Sequence, residues 1–311
     1  MDFQLSTDQK ALRAGTRELL ERRFGRDALR AAVGQGPAGR PRLDRKLWRA
    51  LGDAGFFCLR VPEAEGGLGL GLPEAVLVFE EAGRALLPGP LVATFLAARD
   101  VAGAATGETV VTAVDGGLVA WLDEADAVHG DTSGAVAVRS VDPLTPLHRV
   151  PAGGAPGEAS GKASGQVSGE ARWEAALLRA AEHLGSAART LDLAVQYART
   201  REQFGRPIGA FQAVQHLCAD MLVRAELARA AVYAAAVTAD PLEATGAELL
   251  AADAAVRNAR DCLQVHGGMG FTWESDVHLH LKRAWVRSGL AGPPADAEER
   301  LARGLAGSCG P

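Results

Sequence analysis

The residues best suited to do chemistry lie in two short stretches. Tyr197 to Gln212 (YARTREQFGRPIGAFQ) sets Arg199, Arg201 and Arg206 around a Gly-Arg-Pro turn, and Gln264 to Phe271 (QVHGGMGF) carries a Gly-Gly pair. A planar guanidinium makes charge-assisted, often bidentate bonds to carboxylate or phosphate, and adjacent glycines let backbone N–H groups approach the same anion. Both stretches fall where long helices end, so a charged helix-helix turn closed by a glycine cap fits the same residues. Other constellations carry less. Gly66 to Gly71 (GGLGLG) lacks the preceding apolar strand and the G-x-G-x-x-G spacing of a dinucleotide fold, and no phosphate-binding lysine follows; it reads as a flexible turn entering a helix. His278 and His280 stand two apart and so on different faces of a helix, whereas a metal site needs i, i+3 or i+4 spacing with a carboxylate. They and His266 read as surface or core histidines, and no metal is expected. There is no G-x-S-x-G elbow to support hydrolase chemistry.

Composition bounds what such sites could serve. The chain has 311 residues, 48% of them hydrophobic, with 33 Lys+Arg against 38 Asp+Glu and a net charge of -5. That length suffices for two or three domains with buried cores. Lys10, Lys46, Lys162 and Lys282 are the only lysines, so the clustered basic surface of a nucleic-acid binder is not expected. Cys58, Cys218, Cys262 and Cys309 are scattered without C-x-x-C spacing, which fits neither a zinc knuckle nor a disulfide framework and suits a reducing compartment. No apolar run approaches the roughly 20 residues that span a bilayer, and Met1 to Thr7 is polar, so a cytoplasmic protein with no membrane partner is expected.

The elements that must position the two stretches are mostly helical. Ser6 and Gln9 form a capping-box pattern ahead of Leu12, Thr16 and Leu19; a second segment opens at Asp44 with Trp48, Leu51 and Gly55; a third starts at Pro73 with Val76, Phe79 and Gly83 on one stripe. Thr109 to Val114, Gly117 to Leu122 and Gly134 to Val141 are short β-prone pieces separated by Gly, Asp and Pro. Residues 151–172 are Gly, Ala and Ser with little to bury, the composition of a flexible, disordered linker. Beyond it, Leu177 to Val195, Val214 to Val232 and Leu249 to Leu263 repeat at alternating threes and fours, which predicts three long amphipathic helices. The loops Thr200 to Gly209 and Ala239 to Thr245 are short enough for antiparallel neighbours in a bundle.

Taken together, Y-x-x-x-R-x-x-F-G-x-P-I-x-x-F-Q and Q-x-x-G-G-x-G-F resemble the signature of the acyl-CoA dehydrogenase family. The run LWRALGDAGFFCLRVPEAEGGLG ending at Gly69, the segment Glu80 to Arg84 and the run FTWESDVHLHLKRA from Phe271 are similar to that family as well. The resemblance implies a mostly α fold: an N-terminal helical domain (1–103), a reduced middle β-domain (104–150), the linker (151–172) and a C-terminal four-helix bundle (173–307). It also implies flavin adenine dinucleotide (FAD), lying between the β-domain of one subunit and the bundle of its neighbour. Arg201 is then expected at the pyrophosphate or ADP, Phe204 as an aromatic wall, Gln212 as a hydrogen-bonding partner, and Gln264, Gly267 and Gly268 against the ADP end. The family's T-E-P-x-x-G-S-D type motif is not found between Thr109 and Val150, which implies a weak bed for the isoalloxazine ring.

In the family a glutamate removes the α-proton of an acyl thioester while flavin N5 accepts the β-hydride. Alignment through Leu281 to Ala284 puts Ala291-Gly292 at one family position for that base, and the register before Tyr197 gives Ala175 at the other. Glu174 and Glu274 stand nearby and are assigned to capping or surface duty, so no catalytic residue is expected in this chain. The expected function is α,β-desaturation of an acyl-CoA by a flavoprotein subunit, with a second acyl-CoA dehydrogenase subunit supplying the glutamate in a heterotetramer. Shortened members from steroid degradation make a bulky polycyclic acyl group the expected substrate. The alternatives are a non-catalytic structural subunit, and a self-sufficient, self-associating member with repurposed chemistry.

Overall fold

Gln9 N–H donates to Ser6 Oγ at 3.1 Å and Ser6 N–H donates to Gln9 Oε1 at 3.0 Å, so the capping box opens helix α1 (Thr7–Arg23) as its residue types require. The computed structural model describes residues 4–34, 41–151 and 169–308. After α1 come α2 (Arg26–Gly34), α3 (Arg45–Asp53), α4 (Leu72–Arg84) and α5 (Leu91–Leu96). Asp44 caps α3 through Lys46 and Leu47 N–H, and Pro73 sits in the first turn of α4. The Gly66–Gly71 segment does enter a helix, but it is not loose. Backbone bonds from Gly67, Leu68, Gly69 and Leu70 N–H to Pro62, Cys58, Val61 and Leu59 carbonyls pin it to the preceding turn.

Five short strands follow: β1 (Val111–Asp115), β2 (Leu118–Ala120), β3 (Ala127–His129), β4 (Val136–Val138) and β5 (Leu147–Arg149), in the order β3-β1-β2-β5-β4. All pairs are antiparallel except β1 with β3. Strands β3 and β5 have no counterpart among the predicted pieces: three residues each are too few to show an alternating pattern.

The remainder is α6 (Gly169–Thr200), a hairpin of β6 (Glu202–Gln203) and β7 (Arg206–Pro207), then α7 (Gln212–Thr238), α8 (Pro241–His266), α9 (Val277–Leu290) and α10 (Pro294–Ser308). Helix α6 already begins at Gly169, inside the stretch 151–172 expected as linker; residues 152–168 of that stretch lie outside the described ones. The turn from α7 to α8 is only Ala239 and Asp240, because Asp240 caps α8 through Leu242 and Glu243 N–H and Pro241 takes its first position. Helix α6 packs on α8, α7 and α4. It crosses α4 backbone to backbone: a Cβ on Gly83 would lie 2.0 Å from the Glu182 carbonyl oxygen, and one on Gly185 would lie 1.8 Å from that of Glu80. Helix α7 departs from the amphipathic expectation. It buries Met221, Ala225, Ala228 and Val232, yet its outer face shows Leu222, Val223, Leu227 and Val237 to solvent.

Two desolvated ion pairs join the parts. Arg283 of α9 donates to Asp142 after β4 and to the Leu87 carbonyl after α4, and Arg287 donates to Glu182 of α6 at 2.6 Å. All four charged side chains are buried. The chain of ring contacts Trp48, Phe57, Phe56, Phe79 and Phe95 fills the N-terminal helices. Among the described residues no helix is long and apolar enough to cross a membrane.

Candidate flavin-facing end of the bundle

Helix α6 stops at Thr200, whose hydroxyl donates back to the Gln196 carbonyl, and the chain turns through β6 and β7. Phe204 and Gly205 form the two-residue tip with φ 53° and 76°. Positive φ at both central residues is the geometry that suits the twist of a tight hairpin, and a phenylalanine held there is an uncommon conformation. The tip projects Phe204, which is 92% exposed. Its ring meets Phe211 edge-on at 6.1 Å, and the Arg206 guanidinium lies 4.3 Å over the Phe211 ring. Gln212 is the exposed first residue of α7.

Helix α8 ends alongside. Gly267 takes φ 59° and its N–H donates to the Gln264 carbonyl, so the chain leaves the helix into the turn Gly267–Phe271. Tyr197 of α6 stacks on His266 of α8 with centroids 4.2 Å apart and 20° between planes. His266 Nδ1 lies 2.8 Å from the Cys262 carbonyl, which can only accept, so the proton sits on Nδ1; burial pushes this imidazole's pKa down. That stack brings the two sequence stretches to one end of the bundle.

Each residue assigned to the cofactor is exposed: Arg201, Phe204, Gln212, Gln264, Gly267 and Gly268. Among the described residues no carboxylate pairs with Arg201. A Cβ on Gly267 or Gly268 would meet nothing within 4 Å, so the backbone there is open to a ligand. Gly270, in the same turn, is instead packed against His266 and Leu263. A guanidinium without a carboxylate, an unburied aromatic ring and a sterically open glycine backbone suit a phosphate-bearing, flat, partly apolar group, which fits a dinucleotide such as FAD. Phe271 and Trp273, 72% and 57% exposed, extend the apolar surface beyond the turn, and sequence reasoning had not assigned them there.

Comparison with known proteins decides the lineage. Residues 6–109 match the family described as acyl-CoA dehydrogenase, N-terminal domain, and residues 172–306 match acyl-CoA dehydrogenase, C-terminal domain. This chain belongs to the acyl-CoA dehydrogenase family. It is 35% identical over 316 residues to acyl-CoA dehydrogenase IpdE2 of Mycobacterium tuberculosis, covering 94% of this chain and 96% of that one. It is 37% identical over 290 residues to acyl-CoA dehydrogenase FadE34 of the same organism, covering 80% of this chain and 40% of that one. Among solved structures, a chain of the ChsE4-ChsE5 complex from Mycobacterium tuberculosis superposes with TM-score 0.83 at 26% identity, covering 98% of this chain and 99% of that one. Membership of this family supports FAD-dependent oxidoreductase activity, for which acyl-CoA substrates are typical.

Ala291 and Ala175 stand at the positions where the sequence resemblance placed the family's base. Ala291 caps the C-terminus of α9. The β1–β2 turn packs there: a Cβ on Gly116 would sit 3.0 Å from the Leu290 carbonyl oxygen and 3.2 Å from Gly292 N. Ala175 lies one turn before Arg179 on α6, and Arg179 donates to Asp115 of that β-turn and, at 2.6 Å, to Glu248 of α8. Burial raises the pKa of Asp115 and of Glu248 despite the attraction of Arg179. The Asp115–Arg179–Glu248 cluster was invisible in sequence, since its members stand on three separate elements. Glu174 differs from its expected capping or surface duty: its carboxylate accepts from Arg60 at 2.6 Å and is mostly buried. Glu274 is exposed, and its own backbone N–H and the Thr272 hydroxyl hold its carboxyl low.

Proposed function

We propose that this chain is a flavoprotein subunit for α,β-desaturation of an acyl-CoA, working with a second family member that supplies the catalytic glutamate and most of the flavin bed. The observation that carries the reading is the exposure of Arg201, Phe204, Gln212, Gln264, Gly267 and Gly268 on one end of the bundle, with no carboxylate on the Arg201 guanidinium among the described residues. Arg201 would donate to the pyrophosphate, Phe204 would cover the cofactor's flat face, the open Gly267–Gly268 backbone would let the ADP end approach, and the Gln212 and Gln264 side chains would hold it. Bound FAD would supply the acceptor for the β-hydride. With alanine at 175 and 291, the α-proton goes to the partner subunit's glutamate. The apolar outer face of α7 and the Phe271 and Trp273 rings support a second subunit, since exposed apolar patches of this kind mark interaction surfaces. A chain of the ChsE4-ChsE5 complex shares the fold over nearly the whole length. A bulky polycyclic acyl group is the proposed substrate class.

The test is the absorbance spectrum of the purified protein alone and with its partner subunit. Flavin is expected to be retained stoichiometrically only by the pair, and stoichiometric yellow colour in the homomer would overturn the reading. A specific observation favours one alternative, a self-sufficient enzyme: Asp115 is a half-buried carboxylate of raised pKa, next to Gly116 that packs on the end of α9 and paired with Arg179 one turn from Ala175, and a perturbed carboxylate of this kind suits general-base duty. Asp115→Asn distinguishes the two. It should leave turnover of the pair largely intact, whereas loss of turnover would assign the base to this chain.

A further inference from the structure

A cleft of about 180 Å³ lies between α1, α2, α4, α6 and α9, at the end of α9 away from Ala291. Its residue His280 precedes Ala291 by eleven positions, about 16 Å along a helix at 1.5 Å per residue, so the cleft is separate from the positions aligned with the base. One side is apolar, formed by Leu20, Phe24, Leu29, Leu86 and Leu193; the other presents the carboxylates Glu21, Glu81 and Asp276 and, outnumbering them, four arginines. Three of these are spoken for. Arg17 grips both oxygens of Glu81 at 2.8 and 2.6 Å, Arg26 pairs with Asp276 at 2.7 Å, and Arg84 pairs with Asp192 at 2.6 Å. Arg189 is the lining guanidinium without a carboxylate at ion-pair distance among the described residues.

The electrostatics around Arg189 are unfavourable. Burial, and then the neighbouring Arg84, push its pKa down; the longer-range pull of Asp192, Glu21 and Asp276 is too weak to reverse this. His280 beside it is kept neutral by burial and by Arg189, Arg283, Arg287 and Arg84, and its Nδ1 shares a 2.8 Å hydrogen bond with Ser186 Oγ. It neither competes for an anion nor neutralises the arginine. An anion in the cleft would give Arg189 the partner that its three neighbours already have, in surroundings of reduced polarity where such a pair is strong.

We infer that this cleft binds a small carboxylate with a short apolar body, its carboxylate on the Arg189 fork and its body against Leu20, Phe24 and Leu193. The volume is that of about six waters at roughly 30 Å³ each, which suits an acid of four to six carbons. The planar fork matches a carboxylate in two-point contact, and the apolar wall disfavours a fully hydrated inorganic anion. The site stands independently of the flavin assignment, and its test reads binding rather than turnover.

Hexanoate is titrated into the full-length chain by calorimetry, with hexanamide and inorganic phosphate as comparators. Saturable one-to-one binding of hexanoate is expected, at least about tenfold tighter than either comparator. Arg189→Gln is expected to weaken it at least about tenfold with an unchanged thermal melt. Arg189→Lys, which keeps the charge and loses the fork, should fall between. Leu193→Trp, which fills the apolar side without touching the arginine, should also abolish binding and keeps the test decisive if Arg189→Gln fails to fold. Absent binding by the wild type, equal binding of hexanoate and hexanamide, tighter binding of phosphate, or equal affinity in folded Arg189→Gln would each overturn the inference.

Discussion

Arginine does opposite work in two regions of this molecule. On α9, Arg283 and Arg287 are out of water, each on a carboxylate, and Arg283 also reaches the Leu87 carbonyl. At the end of the bundle Arg201 is exposed and pairs with no carboxylate among the described residues. The interior pairs tie the N-terminal helices, the sheet and the bundle together, because a desolvated charge without its partner costs far more than an exposed one. The bundle end is free of such duties. Phe204, 92% exposed on a strained turn, contributes next to nothing to the fold and so is available for contacts beyond this chain.

The largest effect should come from the interior. Arg283→Met strands the Asp142 carboxylate, which keeps only neutral donors, Leu144 N–H and the Thr145 hydroxyl, and should cost about 3–5 kcal/mol in urea unfolding. A loss below about 1 kcal/mol would mean that the interior pair is no more structural than the exposed arginine.

At the bundle end, Arg201→Ala should weaken flavin binding to the assembled pair by about 1.5–3 kcal/mol, the scale of a hydrogen bond to a charged group. Its thermal unfolding should match that of the wild type. If stability falls and flavin affinity does not, Arg201 is a turn residue and the contrast between the two regions collapses.

Acid should find the interior first. Burial, then Arg287 and Arg179, push His183 from 6.5 down to about 3. The unfolded chain then binds a proton that the folded chain refuses, so this contribution is present above pH 6.5 and is lost progressively as pH falls toward 3. From pH 6.5 to pH 5 the loss from His183 is about 2 kcal/mol at 1.36 kcal/mol per pH unit. A denaturation series over that range checks it, and His183→Gln should flatten the slope.

The smallest effect is expected at the hairpin tip. Phe204→Ser should change unfolding free energy by no more than about 0.5 kcal/mol, the range for exposed positions. Calorimetric melting of the isolated chain is the measurement, and a loss above about 1 kcal/mol would show that the exposed ring supports the turn.

Much of the fold was legible locally. The capping box at Ser6, the cap at Asp44, Pro73 at a helix start and the three-four recurrence from Leu177 onward are decided by neighbours within one or two turns, so the pattern carries them. The same holds for the motifs that identify the family. Short strands such as β3 and β5 were not legible, because their pairing is made by partners distant in sequence.

Residue types and their order along the chain determined the family, the helical class and the two stretches that end α6 and α8. Only the tertiary structure decided that Tyr197 stacks on His266 and so gathers those stretches at one place. It alone decided that Glu174 is held by Arg60, that Arg179 bridges Asp115 and Glu248, and that α7 presents leucine and valine outward. Helix periodicity reports which residues share a face and leaves open whether that face is covered. Coverage and charge pairing depend on what other elements bring to the same point in space, and for a pair such as Arg283 and Asp142 that partner lies 141 residues away.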